Sequence, residues 1–375
     1  MGKAINTAPS LTPQVNRAII QAPEKLPERE ASFLPMLHGK ATDELVKMSG
    51  KPVTQNKLNN TGIVESGEVK LVLDKINQLT GTLGVSTHKL LSTAIAQFTA
   101  LNHTGKNAQK LAYLDIVLPL KGYAFNCGYD VMERETDSPE EALIEATRAE
   151  NALKNARKKI NKDLALLFAS SLSWQEKVKG KPADYMDIRL IEAKGIRNGN
   201  ICIRFTRTFG EYLIKLPQTQ YPVALLAVDE RNTNAYAMGY KMTEHFNMDN
   251  NQIRGTAQLL KVKTLLGVTS LPSIDAVRKQ RRRWEDRIKE PFETSLDALT
   301  KCGLLTDWEY TLSKGVPLTD EEATSFGSFE EWRDTLVKFT LADAPDHTAR
   351  LERRAEEKKQ AKTKKTAKKK KGATE

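Results

Sequence analysis

The chain has 375 residues, 39% apolar, enough for buried cores in about two domains. Its net charge of +11 is uneven: Arg350 to Glu375 holds twelve Lys or Arg against four Glu, +8, so the rest carries only about +3. Any basic surface on the body must therefore be local, and no apolar run is long enough for a membrane-spanning helix.

Residues 1–60 hold six of the fifteen prolines and read as irregular, with a short helix at Thr42 to Met48. A domain over 61–215 follows. Val69 to Leu79 is a short amphipathic or extended segment. Ser86 caps a helix to about Leu101, with Leu90, Leu91, Ala94, Ile95 and Phe98 as its inner face, and Leu114 to Leu120 reads as a strand. Ser138-Pro139 opens a long helix, with proline at its first position. Its stripe steps by threes and fours through Ala146, Ala149, Leu153, Ala156, Ile160, Leu164 and Leu167. Lys154, Arg157, Lys158 and Lys162 fall off that stripe, and the helix's first half is assigned a structural role. A strand carrying Leu172 and Trp174 comes next, then strands Tyr185 to Ile191 and Ile201 to Phe205. Asn198-Gly199 supplies the turn between the last two.

The span 216–345 repeats the order. Asn234 caps a helix to about Asn247, and Ala257 to Leu266 is a second helix. Ser273 to Cys302 is a long third, with Val277, Trp284, Ile288, Phe292, Leu296 and Leu299 on one side. Lys279, Arg282, Arg283 and Arg287 fall opposite, and Pro291 is the expected kink. Leu304 to Thr311 carries Trp308 in a strand, Lys314 to Pro317 turns, and Trp332 to Leu341 alternates like a returning strand. Residues 346–375 are lysine-rich and low in apolar content, the composition of a disordered tail.

Three helices followed by a small antiparallel hairpin, twice over, is the order of a winged helix, whose third helix enters the major groove. The expected fold is therefore α+β, mostly helical, with two tandem winged-helix domains. Lys279, Arg282, Arg283, Arg287 and Lys289, with Lys314 on the second hairpin, are the candidate DNA contacts of the second domain. Lys154, Arg157, Lys158 and Lys162 are those of the first. Lys89 reads as a surface lysine, and Trp174 and Trp308 as core anchors.

Chemistry has no comparable support. No G-x-x-x-x-G-K-[ST] phosphate loop occurs, and His38, His88, His103, His245 and His347 are isolated from one another. Cys127, Cys202 and Cys302 have no metal or redox spacing, in keeping with a reducing cytoplasm. Carboxylates such as Glu140-Glu141 suit a helix start without chemistry. The expectation is a binding protein with no catalytic, cofactor or metal site.

The run NNQIRGTAQLLKVKTLL, then RRRWEDRIKEPFETSLDAL and LLTDWEYTLSKGVPLTDEE, resembles the replication initiator (Rep) proteins of plasmids and mobile elements. Upstream, STHKLL, SLSWQEK and MDIRLIEAKGIRNGN resemble their amino-terminal half, so the likeness spans about residues 33 to 350. It implies two winged-helix units binding repeated origin sequences (iterons) in double-stranded DNA, recruitment of host replication proteins, and homodimer formation. Carried over, Lys279 to Lys289 would read DNA, as would Lys154 to Lys162. One departure is plain: Glu145 and Glu150 flank a single Arg148 where the family has an arginine cluster. A transcriptional regulator of a mobile element with the same fold is the alternative.

Overall fold

The computed structural model describes residues 33–356, apart from 38–39, 49–53, 57–60, 75–83, 103–113, 177–183, 313–315, 320, 323–325, 349–350 and 354–355. It is mixed α+β, about 51% helix and 25% strand, with small antiparallel sheets. The lysine-rich tail beyond Glu356 lies outside the described residues.

The first unit begins with β1 (Phe33–Leu37), α1 (Lys40–Lys47), β2 (Thr54–Asn56), β3 (Thr61–Ser66) and β4 (Val69–Asp74). Then come α2 (Val85–Asn102), β5 (Asp115–Pro119), α3 (Leu120–Asn126) and α4 (Pro139–Phe168). It ends with β6 (Ser170–Glu176), β7 (Asp184–Arg189), β8 (Ile191–Arg197), β9 (Asn200–Phe205), α5 (Arg207–Leu213) and β10 (Gln218–Pro222). Residues 1–60 are thus not irregular throughout. β1 pairs antiparallel with β10, Phe33 opposite Pro222 and Leu37 opposite Gln218, and buries Leu34, Met36 and Leu37. Pro35 hides this strand from a sequence reading. A two-stranded ribbon tolerates proline because each strand has a free edge. The pairing also carries the first unit to Pro222, past the boundary expected at 215.

Two further sheets form, β2-β3-β4-β6-β7 and β5-β9-β8. The expected strand Tyr185 to Ile191 is split at Leu190, where the chain passes from one sheet to the other. The Asn198-Gly199 turn forms as expected, with φ of 49° and 72°. Both residues at positive φ make the tight turn that suits the strand twist.

α2 departs from its expected one-sided pattern. It is buried all round, packed by β1, α4 and β5, and its polar side chains go inside. Several are satisfied locally: Thr99 Oγ1 donates to the Ile95 carbonyl, and Asn102 Nδ2 to that of Phe98. Lys89 is not a surface lysine. It is fully buried, and Nζ donates to the Val228 carbonyl at 2.5 Å. Burial lowers its pKa, opposed by the nearby Cys127, Glu230, Asp229 and Cys302.

Asp163 of α4 accepts hydrogen bonds from Ser86 Oγ (3.0 Å) and Thr87 Oγ1 (2.7 Å) at the start of α2. Burial raises its pKa to about 6, against the opposing pull of those hydroxyls and Lys159. The folded state then holds this proton more tightly than the unfolded chain. Its contribution is fully present below about pH 4 and is lost as pH rises to about 6, a change on the order of 2–3 kcal/mol. Asp163→Asn should flatten that window and melt higher than the parent at pH 7. Parallel melting curves whose gap does not change between pH 4 and 7 would refute this.

α4 starts as expected: Ser138 Oγ accepts from the Glu141 amide and Pro139 occupies the first turn. Thirty residues at 1.5 Å each make a rod of about 45 Å. The stripe is buried from Ala149 onward through Ala156, Ile160, Leu164 and Leu167, whereas Leu143 and Ile144 in the first turns are 70% and 66% exposed. Arg148 ties the first half to the preceding segment by donating to the Asp130 and Met132 carbonyls.

After a 3₁₀ turn at Val223–Ala227, the second unit runs α6 (Thr233–Asn247), α7 (Asp249–Arg254), β11 (Leu259–Lys261), α8 (Val262–Leu266) and α9 (Ile274–Lys279). A π-helical turn at Glu285–Lys289 leads into α10 (Glu290–Lys301), followed by β12 (Leu305–Thr311), α11 (Phe329–Asp334) and β13 (Leu336–Leu341). The cap of α6 is Asn232, whose Oδ1 accepts from the Ala235 amide, rather than Asn234, which accepts from Ser270. The expected helix at Ala257 to Leu266 is a strand and a shorter helix. Trp332 lies in α11, and the returning strand starts only at Leu336.

The fourth sheet has the order β11-β13-β12. The two units therefore share part of a wiring, a helix, a strand, a helix, a long helical region and later two strands, with the sheet ordered first–third–second; β6 and β7 intervene between α4 and β8 in the first unit, and α7 and α11 are additions in the second. The partner of β12–β13 in this scheme is β8–β9. The strand carrying Trp174, which the sequence pattern equates with that of Trp308, belongs to the five-stranded sheet instead. The units share one core cluster. Lys89 crosses to Val228, Tyr221 Oη meets Tyr236 Oη at 3.1 Å, and Asn247 Nδ2 donates to the Gln220 carbonyl at 3.1 Å.

Candidate nucleic-acid interface

The expected single helix Ser273 to Cys302 is interrupted where its arginines lie. Ser273 Oγ caps α9 by accepting from the Ala276 amide. The helix closes at Gln280, with Arg281 at φ 52°. The Arg281 amide donates to the Arg278 carbonyl (3.0 Å) and the Arg282 amide to that of Val277 (3.2 Å). This paired arrangement is a Schellman motif, with arginine in the left-handed position that glycine usually takes. The break falls at Gln280–Arg283, not at Pro291, which sits in the first turn of α10. The apolar stripe holds: Val277, Ile288, Phe292, Leu296 and Leu299 are buried.

Trp284 anchors the end of the turn. Its ring lies 5.4 Å from Trp332 and 5.6 Å from Phe329. Trp332 is fully buried, meets Phe292 edge-on at 5.3 Å and donates from Nε1 to Tyr310 Oη at 2.9 Å. Tyr310 Oη in turn donates to Glu293. An aromatic block thus holds the base of the arginine turn in place.

Above it, Lys279, Arg281, Arg282 and Arg287 are exposed and carry no ion pair among the described residues. Arg283 is 74% exposed, with Glu285 no closer than 3.9 Å. Arg281 was missed by helical spacing, because a turn and not a helix presents it. Lys289 does not join the set. Its side chain is 12% exposed, 3.5 Å from Glu293, and its ammonium sits over the Phe326 ring at 5.2 Å. Lys314 lies outside the described residues. Arg278 pairs with Glu330 at 3.3 Å.

In the first unit, Lys154, Arg157, Lys158 and Lys162 are all exposed on the outer side of α4, spanning about 12 Å at 1.5 Å per residue. None has an ion pair among the described residues, and 151–162 contains no acidic residue. Lys159 differs: it pairs with Glu230 at 3.5 Å. Arg148, farther back on the rod, is occupied by Asp130 and Glu145.

Each long helical region therefore buries one side and offers uncompensated cations on the other. Arginine presents a planar fork that matches guanine edges and phosphates, and lysine is a mobile point charge suited to phosphate. The second unit's free set is mainly arginine and the first's mainly lysine. Among the described residues no His, Cys, Asp or Glu group could hold a metal. His245 is engaged with the Thr256 carbonyl and Asn251, and Tyr240 with Asp43. No helix of the described residues is long and apolar enough to cross a membrane. Comparison with family models, curated proteins and solved structures finds no match for this chain.

Proposed function

We propose that the chain is a sequence-specific, double-stranded DNA-binding initiator of plasmid or mobile-element replication, built from two winged-helix units. One observation carries the binding part: two units with first–third–second sheets each turn an unpaired cationic surface outward from the long helical region. A small antiparallel sheet of first–third–second order after a long helical region supports the winged-helix reading, with β6 and β7 inserted before the β8–β9 hairpin and α11 between β12 and β13. Arg281, Arg282, Arg283 and Arg287, flanked by Lys279, contact bases and phosphates in the second unit. Lys154, Arg157, Lys158 and Lys162 grip the backbone in the first. The initiator role, with origin repeats as target and host replication proteins as partners, rests on the sequence resemblance alone.

Selection of bound sites from random and plasmid-derived duplex pools, followed by gel shifts across a salt series, tests this. The expected result is enrichment of a direct repeat and a steep loss of affinity with salt. Arg283→Ala costs about 1–3 kcal/mol on the selected site if Arg283 reads a base. If it meets phosphate only, binding falls on every duplex and the salt slope shrinks by about 0.9. Unchanged binding to both selected and random duplex would remove Arg283 from the interface. Absence of any duplex binding would end the proposal.

A further inference from the structure

The residues from Lys279 to Trp284 contain no glycine or proline, and lysine, glutamine and arginine are good helix formers. The chain nevertheless breaks there and puts Arg281, a residue with a Cβ, in the left-handed region. A second irregularity follows at once. The Glu290 amide donates to the Glu285 carbonyl, five residues back, in a π turn. Such turns gather at functional sites. Arg281, Arg282 and Arg283 lie in the first irregularity and Arg287 in the second.

In one continuous helix, Arg278 with Arg282, Lys279 with Arg283, and Arg283 with Arg287 would be like-charged neighbours four residues apart, while Arg281 with Glu285 and Arg282 with Asp286 would be opposite in charge, so side-chain pairs on their own neither favour nor forbid closure. A polyanion laid along this surface offsets the like-charged pairs and tips that balance towards the continuous helix.

Resting on the DNA-binding reading above, we infer that duplex binding closes the break, so that α9, the arginine turn and α10 become one helix with its cations along the groove. The free protein keeps the turn, and the reading helix is completed only on DNA. The Schellman hydrogen bonds of Arg281 and Arg282 are exchanged for helical ones, while Trp284 stays on its aromatic block.

Two full-length variants test this, Arg281→Ala and Arg281→Gly. Both remove the same charge. Glycine suits the left-handed turn of the free protein, and alanine suits the closed helix. The expected result is that Arg281→Ala binds the selected duplex about 5- to 30-fold more tightly than Arg281→Gly, with the free Arg281→Gly protein having the higher urea midpoint. In the parent, hydrogen exchange at the Arg282 and Arg283 amides slows when duplex is added. Equal affinities for the two variants, or tighter binding by Arg281→Gly, overturn the inference. If the parent still prefers its selected site in that case, the DNA-binding reading survives. If the parent prefers no duplex at any salt, both fall.

Discussion

Replacing Arg282 and Arg287 together with alanine should lower affinity for the selected duplex roughly 100- to 1,000-fold, about 3–4 kcal/mol. Both side chains are exposed and free of ion pairs among the described residues, so their loss leaves the core and the stability of the free protein alone. If both meet phosphate, the salt slope falls by about 1.8, twice the single-contact value. Lys289→Ala is the control. That lysine is placed over Phe326 and beside Glu293, so its loss moves the urea midpoint and not the salt slope. A double variant that binds as the parent does would show that the cationic turn is a solvated surface and nothing more.

The largest loss of stability should follow Trp332→Ala, at about 3–5 kcal/mol for the second unit. Trp332 is fully buried and meets Trp284, Phe292 and Phe329. Its removal leaves a large void in the block that seats the arginine turn. Trp332→Phe keeps most of the volume and forfeits the Nε1 hydrogen bond to Tyr310, which still donates to Glu293, so its cost should be nearer 1 kcal/mol. Urea unfolding of the three proteins orders them parent, phenylalanine, alanine. A midpoint for Trp332→Ala level with the parent would mean that the block is not what secures this unit.

Where local rules decide, the sequence is readable. Ser138-Pro139 opens α4, Asn198-Gly199 turns β8 into β9, and the spacing from Ile288 to Leu299 finds the buried side of α10, because each depends on residues adjacent in the chain. What the local pattern does not carry depends on partners distant in sequence. β1 is stabilised by β10, nearly two hundred residues on, and Pro35 masks it. α2 shows one apolar side, yet its other sides are covered by β1 and β5. Lys289 has the spacing of a surface cation, and Phe326, returning from a distant part of the sequence, lies under its ammonium. The interruption at Gln280–Arg283 is invisible to helix propensity, which favours continuity there. Where the chain resumes, Trp284 is seated on Phe329 and Trp332, partners distant in sequence. Trp174 and Trp308 both follow a leucine after a long helix, and that shared order equates two strands which the sheets keep apart.

The chain has four tryptophans, and three of them, Trp284, Trp308 and Trp332, lie in the second unit. Indole emission from the unlabelled protein is therefore dominated by that half. Trp284, half-covered and adjoining Arg283, senses anything that settles on the cationic turn. Trp174, fully enclosed in the first unit, supplies a steady background. A simple fluorescence titration thus follows one end of the molecule while the other stays dark.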